Sequence, residues 1–196
     1  MSHAEPTRAS LLLRVRDAHD SRAWEEFAEI YTPLVRQYCR KRGLQETDAD
    51  DVCQDVLQAV SGALSRFEYD RARGSFRSWL LHVTHNKLGH FFEKRKRNPQ
   101  GSGETAVQKL LEAQPTLEAE QEWGRDYKRQ LFDWACEQVH GEFQHKTWEA
   151  FRRTAVEEED LKKVAEDLEM TAGAVYTARS RVLARIRERI LEVGDE

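Results

Sequence analysis

Along residues 20–97 apolar side chains recur at the three- and four-residue spacing of helices, and no stretch alternates apolar with polar residues long enough to form a sheet. Thr7 to Arg16 reads as a short helix capped by Thr7 or Ser10. A second run begins near Asp20 and stops at Gly43, a residue suited to ending a helix. Pro33 follows Thr32 inside that run, and its missing N–H is expected to kink the run or divide it. Thr47 to Asp50 has the form of a capping box, and it opens a helix whose apolar face is Val52, Val56, Ala59, Val60, Ala63 and Leu64. The opposite stripe, Asp51, Gln54, Asp55 and Gln58, is wholly polar. After a loop through Tyr69 to Gly74, a helix starts near Ser75 and buries Phe76, Trp79, Leu80 and Val83 at i, i+3, i+4 and i+7. It ends in a basic run before Pro99.

The pattern then lapses. Residues 98–122 hold Pro99, Gly101, Gly103 and Pro115 among Ser, Gln and Glu, a composition that buries too little apolar surface to order itself firmly. From Asp126 the periodicity returns in Leu131, Trp134, Ala135 and Val139, then in Trp148 and Phe151. Leu161, Val164, Ala165 and Leu168 make one amphipathic helix. A break of about three residues follows at Glu169, Met170 and Thr171, and a second helix carries Val175, Val182, Ile186 and Ile190, which is helix-turn-helix spacing. The expected architecture is all-α. Two small helical domains, residues 20–97 and 126–196, follow an N-terminal extension of residues 1–19 and are joined by a flexible acidic linker, residues 98–125. The C-terminal domain is the helix-turn-helix.

Composition sharpens this picture. Only four prolines interrupt 196 residues rich in helix formers. Cys39, Cys53 and Cys136 are odd in number and far apart, which argues against a disulfide framework and a zinc site. The longest apolar runs, such as Leu11 to Leu13, fall far short of a membrane span, and the N-terminus has no basic-then-apolar signal, so the expected location is cytoplasmic.

A net charge of −4 argues by itself against a nucleic-acid binder, but the distribution argues for one. Lys87, Lys94, Arg95, Lys96 and Arg97 stand against Glu93 alone, and Arg179, Arg181, Arg185, Arg187 and Arg189 stand against Glu188 alone. The segment between these patches is acidic, with Glu104, Glu112, Glu118, Glu120, Glu122 and Asp126 against Lys109 and Arg125.

In a helix-turn-helix the second helix enters the major groove and its first residues reach base edges, so small and hydrogen-bonding side chains belong there. Thr171, Ala172, Gly173, Ala174, Tyr176 and Thr177 fit. Arg179, Arg181 and Arg185 lie further along, where guanidinium groups hold phosphates without reading sequence. A plain helical hairpin with a solvated arginine face is the rival account of this segment. The basic end of the 75–97 helix has a rival too, since cations at a helix C-terminus favour the dipole. Phe91 and Phe92 beside Lys94 to Arg97, with Phe67 upstream, offer the flat surfaces on which unpaired bases stack. Most of the aromatics, Phe76 and Trp79 included, fall on the apolar stripe and read as core.

Three segments taken together resemble a known family. Asp48 to Leu57 (DADDVCQDVL), Arg73 to Leu81 (RGSFRSWLL), and Asn86-Lys87 with the basic run look like the second conserved domain of small extracytoplasmic-function sigma factors of the sigma-70 family. Val164 to Leu168 (VAEDL), through Val175 and Arg181 to Glu188, resembles the fourth domain. The resemblance covers residues 20–97 and 126–190, in the family's order. It implies an alternative sigma factor, which binds core RNA polymerase through the largest-subunit clamp and the flap, recognises the −10 and −35 promoter elements and promotes DNA melting. Asp51, Gln54, Asp55 and Gln58 would then grip the clamp. Arg73, Gly74, Ser75 and Phe76, with Asn86 facing them, would capture a base flipped from the −10 element, and Lys87 and Lys94 to Arg97 would hold the backbone. Flipping costs a few kcal/mol, offset by stacking and hydrogen bonding in a shaped pocket. The last helix would read the −35 element. Relatives commonly have Gly in the turn where this chain has Glu169, so the turn costs about 1–2 kcal/mol if that residue takes positive φ. Many relatives are held by an anti-sigma factor, although no residue here identifies one.

A stand-alone helix-turn-helix regulator would explain the C-terminal half equally well, but it leaves the Asp51 stripe, the Arg73 loop and the first basic run without a common purpose. Catalysis has less to stand on. His82 and His85 share one helix without a clear carboxylate or cysteine partner set, and the chain has no nucleotide loop, nucleophile motif or metal signature, so neither an enzyme nor a cofactor is expected.

Overall fold

The computed structural model describes residues 11–17, 19–64, 75–97 and 114–193, with side chains up to Arg95 in the third of these stretches. Among these residues the regular structure is entirely helical, and the chain divides into two units between Gln130 and Leu131. Thr7, Ser10, the loop Tyr69 to Gly74 and residues 98–113 of the expected linker lie outside the described residues.

The first unit is built on α1 (Leu11–Val15), α2 (Ser21–Lys41), α3 (Glu46–Leu64) and α4 (Phe76–Arg97). Asp20 caps α2 by accepting the Ala23 N–H at 2.9 Å, and Gly43 supplies the left-handed turn after it at φ 91°. α2 runs through Pro33 as one element. Proline cannot serve the carbonyl of Glu29 one turn earlier, and that oxygen accepts Gln130 Nε2 at 3.4 Å instead. α3 starts at Glu46, so Thr47 sits in its first turn and does not cap it. Its buried face is Ala49, Val52, Cys53, Val56, Val60 and Leu64.

The inward face of α4 is broader than its apolar stripe. Phe76, Leu80, Leu81, Leu88 and Phe92 are buried together with Thr84 and His85, while Trp79 and Val83 are only half-buried. Both polar residues are satisfied inside: Thr84 Oγ1 donates to the Leu80 carbonyl at 2.8 Å, and His85 Nδ1 lies 2.9 Å from Tyr38 Oη.

The unit closes on the first half of α5 (Leu117–His140). Trp123 is 2% exposed, its Nε1 donates to the Arg77 carbonyl at 3.1 Å, and its ring meets the edge of Tyr38 at 5.3 Å. Tyr127 stacks on Tyr31 at 5.8 Å. At the rim Lys41 Nζ lies 2.9 Å from Glu122 and 2.8 Å from Asp126, and its pKa rises, chiefly from the Asp126 hydrogen bond. Residues 117–125, expected as part of the linker, are therefore helical and carry a core tryptophan. Cys39 and Cys53 are free and buried, and desolvation pushes their thiol pKa values up to about 12 and about 11.

The second unit takes the remainder of α5 from Leu131, α6 (His145–Phe151), a π-helical turn (Arg152–Val156), α7 (Leu161–Asp167) and α8 (Ala172–Val193). Ala150, Val164, Ala165, Val175 and Ala178 form a core patch on which Leu161, Leu168 and Met170 pack. Asp160 caps α7, accepting the N–H groups of Lys162 and Lys163 at 3.0 and 3.1 Å. Leu168 ends α7, and Glu169 takes φ 53° in the turn before α8. Beside the π-helical turn Arg153 grips Glu159 at 2.7 Å and Asp167 at 2.6 Å, and its hydrogen bond to Glu159 holds that carboxyl down at about 2. Cys136 is free and half-buried, its thiol pushed up to about 11 by desolvation. Among the described residues no helix is long and apolar enough to cross a membrane, and no group of His, Cys, Asp and Glu could hold a metal ion.

Candidate functional site

In the first unit the candidate surface lies along α3 and α4. Burial of Val52, Cys53, Val56 and Val60 rotates Asp51, Gln54, Asp55 and Gln58 outward, and all four are exposed. A groove beside this stripe is lined by Asp48, Asp51, Val52 and Asp55 from α3 and by Lys87, His90, Phe91, Lys94 and Arg95 from α4. Carboxylates on one wall thus face cations on the other. Arg95 bridges the walls to Asp48 at 3.1 Å, and Arg36 pairs with Asp50 behind them. Two groups that the sequence assigned to separate tasks, the Asp51 stripe and the basic run, therefore share one groove. Phe91, expected as a stacking surface, lines the groove, whereas the sequence reading missed Asp48 and His90. Their signal was available, because each lies three or four positions from a residue already chosen, the neighbour spacing on a helix.

The group expected to capture a flipped base is divided by the fold. Arg73 and Gly74 lie outside the described residues, as do the side chains of Lys96 and Arg97. Ser75 caps α4, its Oγ accepting the Ser78 N–H at 3.2 Å. Phe76 has to be withdrawn as a base-contacting residue: its ring is 0% exposed and meets Phe27 at 5.8 Å and Tyr31 at 5.5 Å, so it is core. Asn86 is exposed, but the helical rise puts it about 16 Å along the axis from Ser75. It does not face Ser75 and belongs instead beside Lys87, toward the basic end.

In the second unit Thr171 Oγ1 accepts the Ala174 N–H at 3.1 Å and so caps α8. Ala172, Gly173, Ala174, Tyr176 and Thr177 are exposed on its first turns, and Val175 and Ala178 face the core. Arg181 is exposed and Arg179 half-buried. Arg185 is engaged within the chain, its guanidinium holding Glu142 through contacts of 2.7 and 2.9 Å, and this pairing raises its pKa. A side chain already clamped to a carboxylate is a poor phosphate ligand, which sets Arg185 apart from Arg179 and Arg181.

Residues 27–98, which hold α3, α4 and their shared groove, match the sigma-70 region 2 family. That segment, 72 of the 196 residues, is a sigma-70 region 2 segment. The chain is 33% identical over 92 residues to the RNA polymerase sigma factor CnrH of Cupriavidus metallidurans, a match covering 46% of this chain and 47% of that protein. It is 30% identical over 84 residues to the RNA polymerase sigma factor NccH of Alcaligenes xylosoxydans xylosoxydans, covering 43% of this chain and 44% of that one. The chain thus spans about half the length of the curated relatives it matches. A solved structure of CnrH in complex with the cytosolic domain of CnrY aligns with 91% of this chain and 93% of that chain at 22% identity, with a TM-score of 0.35 too low to bear on the fold. The sigma-70 region 2 segment includes every described residue of the groove and leaves the second unit unmatched.

Proposed function

We propose that this protein is an alternative sigma factor, which binds core RNA polymerase, recognises the −10 and −35 elements of promoters and promotes melting of the DNA for transcription initiation. The observation that carries the reading is the sigma-70 region 2 segment, residues 27–98, with a polar stripe exposed on one of its helices and cations along the adjoining one. Asp51, Gln54, Asp55 and Gln58 grip the clamp of the largest polymerase subunit. A carboxylate and amide row of this kind suits a basic partner helix, because its charge needs no burial until the partner arrives.

Lys87 and Lys94 hold the DNA backbone near the −10 element, together with Lys96 and Arg97, and Arg95 joins them on exchanging its contact to Asp48 for a phosphate. The opened strand needs such cations, since phosphate contacts supply affinity that sequence reading alone does not. Phe91, which lines the same groove, offers a stacking face for an unpaired base. Base capture itself falls to Arg73, Gly74 and Ser75.

In the second unit α7, its turn and α8 form the helix-turn-helix, whose first α8 residues enter the major groove at the −35 element while Arg179 and Arg181 hold phosphates. The unit also contacts the polymerase flap. Residues 98–113, the part of the acidic linker outside the described residues, thread the polymerase. The protein acts in the cytoplasm, where core polymerase and promoter DNA are found, and an anti-sigma factor is a further candidate partner.

The test is co-elution of the purified chain with core RNA polymerase on a size-exclusion column at moderate salt. Formation of the complex, and its loss in a chain carrying Asp51→Arg with Gln54→Ala at unchanged helicity, supports the reading. Retained binding by that variant removes the stripe from the interface. A wild-type chain that ignores core polymerase yet shifts duplex DNA unaided is a stand-alone regulator.

A further inference from the structure

The second unit, taken as the reader of the upstream element, carries a further inference that rests on that assignment and concerns which bases it can distinguish. A recognition helix reaches base edges with its first turns, where guanidinium, amide and carboxylate groups pick out guanine, adenine and cytosine by hydrogen bonding. α8 has none of these there. From Thr171 to Ala178 its side chains are two threonines, three alanines, a glycine, a valine and a tyrosine, and Val175 and Ala178 are turned into the core.

Both threonine hydroxyls are engaged. Thr171 Oγ1 accepts the Ala174 N–H at 3.1 Å, and Thr177 Oγ1 donates to the Gly173 carbonyl at 2.9 Å. What remains outward is chiefly the methyl groups of Ala172 and Ala174 and the phenol of Tyr176, which is 64% exposed, beside the exposed threonines with one hydrogen bond of each hydroxyl already spent. Gly173 adds an independent observation. It is exposed in ordinary helical backbone, and a Cβ built on it meets nothing within 4 Å. Among the described residues nothing crowds that position, and glycine weakens a helix, but a glycine there lets another molecule approach the backbone closely.

The thymine C5 methyl is the apolar feature of the major groove, and an apolar, shallow helix face is its chemical complement. We infer that α8 reads its DNA chiefly through contact with thymine methyl groups at A·T pairs, with Tyr176 as the specificity-determining side chain and Gly173 as the point of closest approach. Arg179 and Arg181 hold phosphates and add affinity without sequence preference.

The experiment uses the full chain bound to core RNA polymerase and a duplex library randomised over the upstream element. The expected result is enrichment of A·T pairs where α8 lies. Replacing each contacted thymine by deoxyuridine, which removes only the methyl group, weakens binding about fourfold. Tyr176→Ala flattens the sequence preference and leaves the salt dependence intact, and Gly173→Ala lowers affinity at an equal or higher Tm. Enrichment of G·C pairs indifferent to deoxyuridine overturns the inference, as does a preference that survives Tyr176→Ala and vanishes with Arg181→Ala. Both of those results leave promoter reading by this unit in place. Enrichment of no upstream element by a complex that has formed removes that assignment, and the inference with it.

Discussion

Glu169 shows how much one backbone angle can hold in reserve. At φ 53° it occupies a region in which an L-residue crowds its own carbonyl, at about 1–2 kcal/mol, against which stand its N–H donating to the Glu166 carbonyl at 3.1 Å and an exposed contact to Lys146 at 3.7 Å. Glu169→Gly is therefore expected to stabilise the second unit by about 1 kcal/mol, read as a shift in the urea midpoint at unchanged slope. The need for positive φ here was legible in the sequence, because the turn between two helical patterns is short and family members place glycine in it. The role of Phe76 was less legible, since the stripe made it core while the loop motif made it a base contact. Its complete burial predicts that Phe76→Ala costs about 3–5 kcal/mol in thermal or chemical unfolding, before any effect on DNA. Glu159 carries a pH prediction. Its carboxyl, held at about 2 by Arg153 against an ordinary 4.5, adds stability that is present above about pH 4.5 and lost as pH falls toward 2. Glu159→Gln should flatten that part of the acid unfolding profile and leave the neutral range as the place where only the lost ion pair is felt.

Among the helices, α5 departs furthest from expectation. Its first turns are polar and follow a Pro- and Gly-rich stretch, so composition marks them as linker, while the apolar signal there is a single Trp123 followed by Tyr127 one turn later. Only the tertiary partners reveal the purpose: the Arg77 carbonyl, the Tyr38 edge, the Tyr31 ring and Lys41 are far away in sequence. A fragment ending at residue 97 should accordingly unfold at lower urea than one ending at residue 130, and Trp123→Ala in the longer fragment should abolish much of the difference, at a cost of about 3–5 kcal/mol. Equal midpoints for the two fragments would show that the first unit does without α5. The inward face of α4 was only half legible for a related reason. A hydropathy pattern discards Thr84 and His85, yet a hydrogen bond to each makes them admissible in the core.

For the whole chain the promoter binding proposed above has its natural observable in the salt response. Each exposed cation that neutralises a phosphate adds roughly one to the slope of log affinity against log salt, so Lys94→Ala or Arg181→Ala in the polymerase complex should lower it by about one apiece. Arg185→Ala should change it little and instead lower the stability of the second unit, because its guanidinium already belongs to Glu142. The all-α class and the succession of helical segments could be read from periodicity alone, whereas the partition of cations into exposed and carboxylate-bound could not, since it depends on which carboxylate folds back within reach. The three free thiols have a consequence of another kind. Cys39 and Cys53 are sealed in the first unit and Cys136 is half-covered in the second, all with thiolate formation suppressed. Alkylating reagents attack the thiolate and can reach the sealed pair only when the surrounding helices part. Pulsed labelling followed by peptide mass spectrometry therefore gives a clock for the opening of the first unit in an unmodified chain, with the half-covered Cys136 as the reference that reacts without it.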